Sequence, residues 1–336
     1  MSRAGCWSRR RWLGGTAALA LARPALPRES ADEAFPSRPI ALWVPWTAGG
    51  ATDISLRLLG DLAAHHLGQR VIVENRGGAG GTLVMPVLKQ AEPDGYTIAQ
   101  LPQPIFRAYF MQQPQWHPID DVTPIIQISG VTFGLLVSAG SPFNSLDDLF
   151  AFARARPGVL SIATNGVGTS PHIVLEDLFT GRGLRYIHVP YKGVSEQINA
   201  IASGQVMAGV SSTGFTPAVE SGRLRLLVSL AAKRSRRWPQ VPTLRDLGYD
   251  IVAQSPYGLG GPHGLPGRVV EALHDGFRKA MFEPQFVEEI AKYDQEPDYL
   301  GPAAYAQACR EMFARERAAV ELNVRPKARS LPAADS

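Results

Sequence analysis

Pro39-Ile40-Ala41-Leu42-Trp43-Val44-Pro45-Trp46-Thr47-Ala48-Gly49-Gly50-Ala51-Thr52-Asp53 opens with an apolar run of buried-strand length and breaks into a glycine turn. An amphipathic stretch over residues 54–67 follows, ended by Gly68, and Arg70-Val71-Ile72-Val73-Glu74 is a second apolar run. Strand, glycine turn, helix and strand in that order form the opening unit of a parallel α/β sheet. A second glycine-rich turn, Asn75-Arg76-Gly77-Gly78-Ala79-Gly80-Gly81-Thr82, leads into a helical pattern reaching Gln90, and Asp94-Gly95 turns the chain into the strand Tyr96-Thr97-Ile98-Ala99. Three strands then end in loops at one edge of one sheet.

Further along, the apolar run over 131–138 predicts a strand, and Ser145-Leu146-Asp147-Asp148 opens a helix to about Arg156. A second α/β unit follows: strands over 160–163, 186–189, 206–210 and 224–229 alternate with helices over 171–180, 195–203 and 216–221. Residues 251–260 form a return crossing, and helices over 267–281, 284–292 and 302–322 finish the chain. Crossings near 134–138 and 252–256 predict a discontinuous first lobe. At 336 residues the chain is long for one core and comfortable for two. The expected boundaries are residues 1–34 as signal peptide and linker, 35–135 with 253–336 as lobe 1, and 136–252 as lobe 2.

The N-terminal Ser8-Arg9-Arg10-Arg11-Trp12-Leu13 precedes a short apolar run ending at Ala20-Leu21-Ala22. This is the pattern of a removable secretory signal, of twin-arginine or Sec type, and it is shorter than the ~20 residues of a transmembrane span. A periplasmic destination is expected. Residues 1–34 hold six arginines against three acidic residues, a net of +3 that leaves +1 of the chain's +4. A nearly neutral mature protein lacks the electrostatic footprint of nucleic-acid binding. Of the two cysteines, Cys6 lies in the leader, so Cys309 is left without an intramolecular partner and reads as a small buried filler.

Glycines at 49–50 let a backbone approach a ligand, and the helix behind them presents free N–H groups carrying about half a unit of positive charge. The same residues also fit a plain turn in which Thr52 or Asp53 caps the helix. Thr164-Asn165-Gly166-Val167-Gly168-Thr169-Ser170 is a comparable turn in the second unit. The turn over 75–82 is not a phosphate loop, because no Gly-Lys-Ser/Thr follows it. A hydrolase would need a Gly-x-Ser-x-Gly elbow or a histidine set against a nucleophile, and neither is present. No metal site is read: His172 is a helix residue beside a cap with no second histidine near it in sequence. No cofactor is expected.

Five motifs occur in order: residues 44–53, Val73-Glu74-Asn75-Arg76-Gly77-Gly78-Ala79-Gly80-Gly81, Pro93-Asp94-Gly95-Tyr96-Thr97, His188-Val189-Pro190-Tyr191-Lys192-Gly193 and Val241-Pro242-Thr243. Together they resemble the solute receptors of tripartite tricarboxylate transporters, the Bug proteins, across the chain from about Pro36 onward. The resemblance implies a two-lobed periplasmic-binding-protein fold, each lobe a sheet flanked by helices and joined to the other by two crossing strands. It implies a monomeric receptor without enzyme activity that captures a small carboxylate for a membrane transporter, or in a variant presents it to a signalling partner. Its ligand would meet Trp46, Thr47, Ala48, Gly49, Gly50, Thr52 and Asp53 from the first turn and Gly80 and Gly81 from the second. On the other lobe it would meet Thr164, Asn165, Gly168, Thr169, Ser170 and Ser211.

Two departures stand out. Ser211 occupies a strand end where the family commonly carries an acidic residue, and Leu101-Pro102-Gln103-Pro104 replaces a small polar turn. Arg107, just beyond, is read as a surface arginine, with a clamp on a second carboxylate as the alternative. The run Lys233-Arg234-Ser235-Arg236-Arg237-Trp238 is read as a solvated loop.

Overall fold

The computed structural model describes residues 35–324, and the leader read over residues 1–34 lies outside them. The chain runs β1 (Ile40–Val44), α1 (Ala51–Leu67), β2 (Val71–Asn75), α2 (Val84–Gln90), β3 (Thr97–Leu101), α3 (Pro104–Gln112) and β4 (Val122–Ser138). It continues α4 (Leu146–Ala155), β5 (Ser161–Thr164), α5 (Ser170–Leu178), β6 (Ile187–Pro190), α6 (Val194–Ala202), β7 (Ala208–Ser212), α7 (Thr216–Glu220) and β8 (Leu224–Ser229). It closes with β9 (Gln254–Pro262), α8 (Gly267–Met281), α9 (Pro284–Ala291), β10 (Pro297–Leu300) and α10 (Pro302–Val324).

The strands follow the order β2-β1-β3-β9-β4-β7-β5-β6, with β8 and β10 also paired to β4. β1 pairs parallel with β2 and β3, and β5 pairs parallel with β6 and β7, so each half carries the βαβ unit read from the sequence. The long strand β4 joins the halves. Its residues up to Thr132 pair with β9, and from Phe133 onward with β7 and β8. β9 starts opposite that switch, with Gln254 against Thr132. The result is a two-lobed α/β fold in which β4 and β9 run between the lobes.

Local signals account for the element ends. Gly68 terminates α1 at φ 70°, a left-handed conformation that glycine adopts without cost, and its N–H returns to the Ala64 carbonyl. Ser145 and Asp148 cap α4 reciprocally, as the Ser-x-x-Asp spacing predicts. Apolar side chains of both sheet faces are covered by helices. Ile40, Leu42, Leu56 and Leu59 pack with Phe277 of α8 in the largest core cluster, and Met85, Phe106, Trp116 and Tyr305 form a second one under α2, α3 and α10.

The stretch after Leu101 and the side chain of Arg107 depart from the sequence reading. The stretch after Leu101 is a helix, α3, with Pro104 at its first turn, where the missing proline N–H costs nothing. Arg107 is consequently buried rather than superficial: its guanidinium donates to both Glu316 carboxylate oxygens, at 2.6 and 2.9 Å, and to the Gly168 carbonyl at 3.0 Å. With three of its N–H groups held by the protein, and not among the residues that line the cavity described below, it is not placed as a ligand clamp. In the basic run, Arg234 pairs with Asp246 and Arg237 with Glu220, while Trp238 is buried against Phe215.

Candidate functional site

The glycine turn between β1 and α1 is held open by Asp53. Its side chain accepts from the Gly49 amide at 2.8 Å, from Arg57 Nε at 3.0 Å and from Asn75 Nδ2 at 2.7 Å. Asn75 also donates to the Trp46 carbonyl at 3.1 Å, which ties β2 to the turn. The helix N-cap is Gly50, without a side-chain cap, so neither Thr52 nor Asp53 occupies that position. Asp53 sits three residues in and reaches back, orienting the turn from behind. Burial pushes its carboxyl up, but the Gly49 amide, Arg57 and Asn75 outweigh that and hold it below the ordinary carboxylate value. It is therefore an ionised, internally satisfied anion.

The opposing turn, after β5, is braced in the same manner. Thr164 Oγ1 contacts Gly166 and, at 2.6 Å, His188 Nε2, while Thr169 donates its hydroxyl to the Gly166 carbonyl at 2.8 Å. Gly168 donates its amide to His172 Nδ1 at 3.2 Å. His188 stacks on His172 with ring centroids 4.1 Å apart, a pairing hidden in sequence by the 15 residues between them. Burial, with the neighbouring His172, lowers the His188 pKa to about 4, so the pair is neutral and His172 Nδ1 can act as the acceptor its position requires. Among the described residues no group of three or more His, Cys, Asp or Glu is placed to hold a metal ion.

The loops of the two halves approach closely at two places, Gly80 of the second glycine turn against the turn after β5, and Thr47 of the first against Gly193. A side chain at Gly80 would approach the Val167 carbonyl to 3.0 Å, and one at Gly166 would approach the Gly80 Cα to 3.0 Å. A Cβ at Gly193, just before α6, would overlap Thr47 Oγ1 and lie 3.0 Å from Thr47 Cβ. Ser170 donates its hydroxyl to Gln103 Oε1 at 3.1 Å, linking α5 to α3. The lobes are thus closed on one another, with glycines at the closest approaches.

Between them lies a cavity enclosing about 600 Å³ of empty space including its mouth. The first turn lines it with Trp46, Thr47, Gly50, Ala51, Thr52 and Asp53, and the second with Asn165, Thr169, Ser170 and Pro171. The strands supply a floor of Gln100 from β3, Val131 and Phe133 from β4, Ser212 from β7, and Ser255 and Tyr257 from β9. The two-residue period along a strand puts Val131 with Phe133, and Ser255 with Tyr257, on that face. Ala48, Gly49, Gly80, Gly81, Thr164, Gly168 and Ser211 do not line the cavity; they build the turns or pack behind them. Gln100, Ser212, Ser255 and Tyr257 were not singled out from the sequence. The alternation of polar residues with apolar ones in those strands carries no signal until the strands are paired.

Among the described residues no lysine or arginine lines the cavity. The first amides of a helix have no intrahelical acceptor, and those of Ala51, Thr52 and Asp53, and of Ser170 and His172, find no other protein acceptor among the described residues. Two helix N-termini from opposite halves of the fold therefore present donors to one enclosed space. The side-chain amides of Gln100 and Asn165 are also buried there, with Gln100 Oε1 and Asn165 Oδ1 lacking any protein partner.

A closed two-lobed α/β fold with such a cavity defines a solute-binding receptor. The profile of the tripartite tricarboxylate transporter family receptor matches residues 56–323, and the chain belongs to that family, a family of receptors rather than of enzymes. It is 44% identical over 306 residues to the UPF0065 protein in gbd 5'region of Cupriavidus necator, covering 91% of this chain and 93% of that one. It superposes on R. palustris Rpa4515, solved with adipate, with a TM-score of 0.79 and 27% identity, over 85% of this chain and 97% of that one. It also superposes on MatC from Rhodopseudomonas palustris, solved with bound malate, with a TM-score of 0.76 and 26% identity, over 84% and 98% of the two chains. Among the described residues no helix is long and apolar enough to cross a membrane.

Proposed function

We propose that this chain is a periplasmic receptor whose lobes, residues 35–135 with 253–336 and residues 136–252, close around a small carboxylate and deliver it to a tripartite membrane transporter. The observation that supports this reading is the convergence of the α1 and α5 N-termini, from opposite lobes, on one enclosed cavity. A carboxylate there accepts from amides of both lobes at once, so binding and closure are one event. MatC was solved with malate and Rpa4515 with adipate, acids of four and six carbons, which supports a small carboxylate as the ligand class. Carboxylate capture further accounts for the internal neutralisation of Asp53: with Arg57 and Asn75 holding its oxygens, its charge is partly cancelled before the ligand arrives.

The test is thermal unfolding of the purified chain against mono-, di- and tricarboxylates, amino acids and aromatic acids. A ligand at ~100 times its dissociation constant adds about 2.7 kcal/mol. The expected outcome is a clear upward shift for carboxylates that disappears in Gly50→Val. That residue has ordinary backbone angles, and its added methyls would enter the cavity toward Val194. Shifts that survive Gly50→Val would place the site elsewhere, and no shift with any acid would remove the carboxylate reading.

A further inference from the structure

Arg107 and Glu316 form a salt bridge whose side chains are only 9% and 7% exposed. The Glu316 carboxylate, on α10, accepts from Arg107 and also from Gln103 Nε2 at 2.9 Å, so one anion orients two side chains at the start of α3. Both side chains then reach the other half of the fold. Arg107 Nη1 donates to the Gly168 carbonyl at 3.0 Å, and Gln103 Oε1 accepts from the Ser170 hydroxyl at 3.1 Å. With α3 and α10 in lobe 1 and Gly168 and Ser170 in lobe 2, a buried charge pair of one lobe grips the other by two hydrogen bonds.

The part that is gripped is the jaw beside the cavity. Thr169 is the N-cap of α5, and Thr169, Ser170 and Pro171 all line the cavity. The Gly168 carbonyl and the Thr169 amide share one planar peptide group, so fixing the first fixes the direction of the second. An arginine paired with a carboxylate still has further N–H groups to satisfy, because a guanidinium carries five and a bidentate carboxylate takes two. Arg107 lies on the seam, in a groove that Gln103 of lobe 1 shares with Ser170, Ile173 and Val174 of α5. Closing the lobes takes its Nη1 out of water, and a buried charged donor left without an acceptor costs more than an ordinary hydrogen bond contributes. The Gly168 carbonyl supplies that acceptor only when the lobes are together.

We propose that Gln103, Arg107 and Glu316 form a latch, a set of positioning residues that hold the α5 jaw against lobe 1 and favour the closed form of the receptor. The proposal rests on the two-lobe receptor reading above. None of the three lines the cavity; they act on it through Gly168 and Ser170. A captured acid leaves when the lobes part, so the latch lengthens its residence.

The experiment measures the distance between the lobes by dipolar electron paramagnetic resonance. Nitroxides are attached to cysteines introduced by Gln112→Cys and Lys192→Cys, exposed positions of opposite lobes that line one groove when the lobes are closed. Cys6→Ser removes the leader thiol, and Cys309 is buried. Distances are recorded without ligand and with graded concentrations of malate and of adipate as probes. Arg107→Lys keeps a charge opposite Glu316 but loses the guanidinium fork. In that variant the ratio of closed to open molecules is expected to fall about tenfold or more, the size of a hydrogen bond to a charged group. Ser170→Ala deletes the bond to Gln103 and should lower the ratio about two- to tenfold. A merely structural ion pair would lower the unfolding temperature of Arg107→Lys and leave the closed fraction of its folded molecules unchanged. Wild-type closed fractions in both variants would therefore overturn the latch alone. A wild-type chain without the short distance under any of these conditions would overturn the latch together with the receptor reading. A short distance that depends on Arg107 and Ser170 but does not respond to either acid would support the latch and count against the carboxylate reading.

Discussion

Gly193→Ala separates closure from folding. Gly193 has φ −163°, extended backbone open to any residue, so an added methyl brings no conformational strain of its own. What it meets is Thr47 on the other lobe, overlapping Oγ1 and lying 3.0 Å from Cβ and 3.5 Å from Cγ2. The hydroxyl can turn away, but the Thr47 Cβ belongs to a turn held by Asp53 and Asn75 and must move by a few tenths of an ångström. Overpacking of this kind costs about 1–3 kcal/mol, and here it is felt in the closed form alone. Binding should weaken by roughly 5- to 150-fold, measured by calorimetry with the acid that shifts the wild-type unfolding most. Unfolding without ligand should change by less than about 0.5 kcal/mol, as for a surface substitution. Adding Thr47→Ala removes Oγ1 and Cγ2 and should return most of the lost affinity. Wild-type affinity in Gly193→Ala, or an equal loss of unliganded stability, would refute the idea that these two residues meet on closure.

Further outcomes follow from the same contacts. Glu316→Gln leaves Arg107 charged, buried and unpaired, so unfolding should be destabilised by about 3–5 kcal/mol, whereas the apolar pair Arg107→Met with Glu316→Leu should recover most of it; urea titration checks both. Asp53→Ala strips the acceptor from Gly49, Arg57 and Asn75 together, and should weaken carboxylate binding by about tenfold or more through a loosened turn. His188 has its folded-state pKa depressed to about 4, below an ordinary value of 6.5, so the unfolded chain takes up the proton first as pH falls. Stability from this group is therefore complete above about pH 6.5 and lost progressively toward pH 4. His188→Asn should flatten that part of the pH–stability curve, read by thermal unfolding in a buffer series.

Much of the fold was legible because its signals are local. β1, the turn at Gly49-Gly50 and α1 lie within 28 consecutive residues, and apolar period, glycine and helix stop each act over a few residues. The capping box at Ser145 and Asp148 is read the same way. The parallel pairing of β1, β2 and β3 follows from alternation of strand with helix. By contrast, α3 was missed because Pro102 and Pro104 read as loop, although a proline at the first turn of a helix is well tolerated.

The candidate site divides along the same line. The two turns and the helix N-termini they expose are written locally in the chain, because a strand, a glycine and a helix start are consecutive residues. What the turns face is set by folding. Gln100, Ser212, Ser255 and Tyr257 share one cavity because β9 and β7 flank β4 and β3 pairs with β9, and strand order is a matter of long-range pairing. Arg107 is buried rather than exposed because Glu316, 209 residues further along, reaches it from α10. His172 and His188 stack because β6 runs beside β5. A residue's chemistry is written in the chain, but whether that chemistry is spent on the protein or left for a ligand depends on neighbours that only folding supplies.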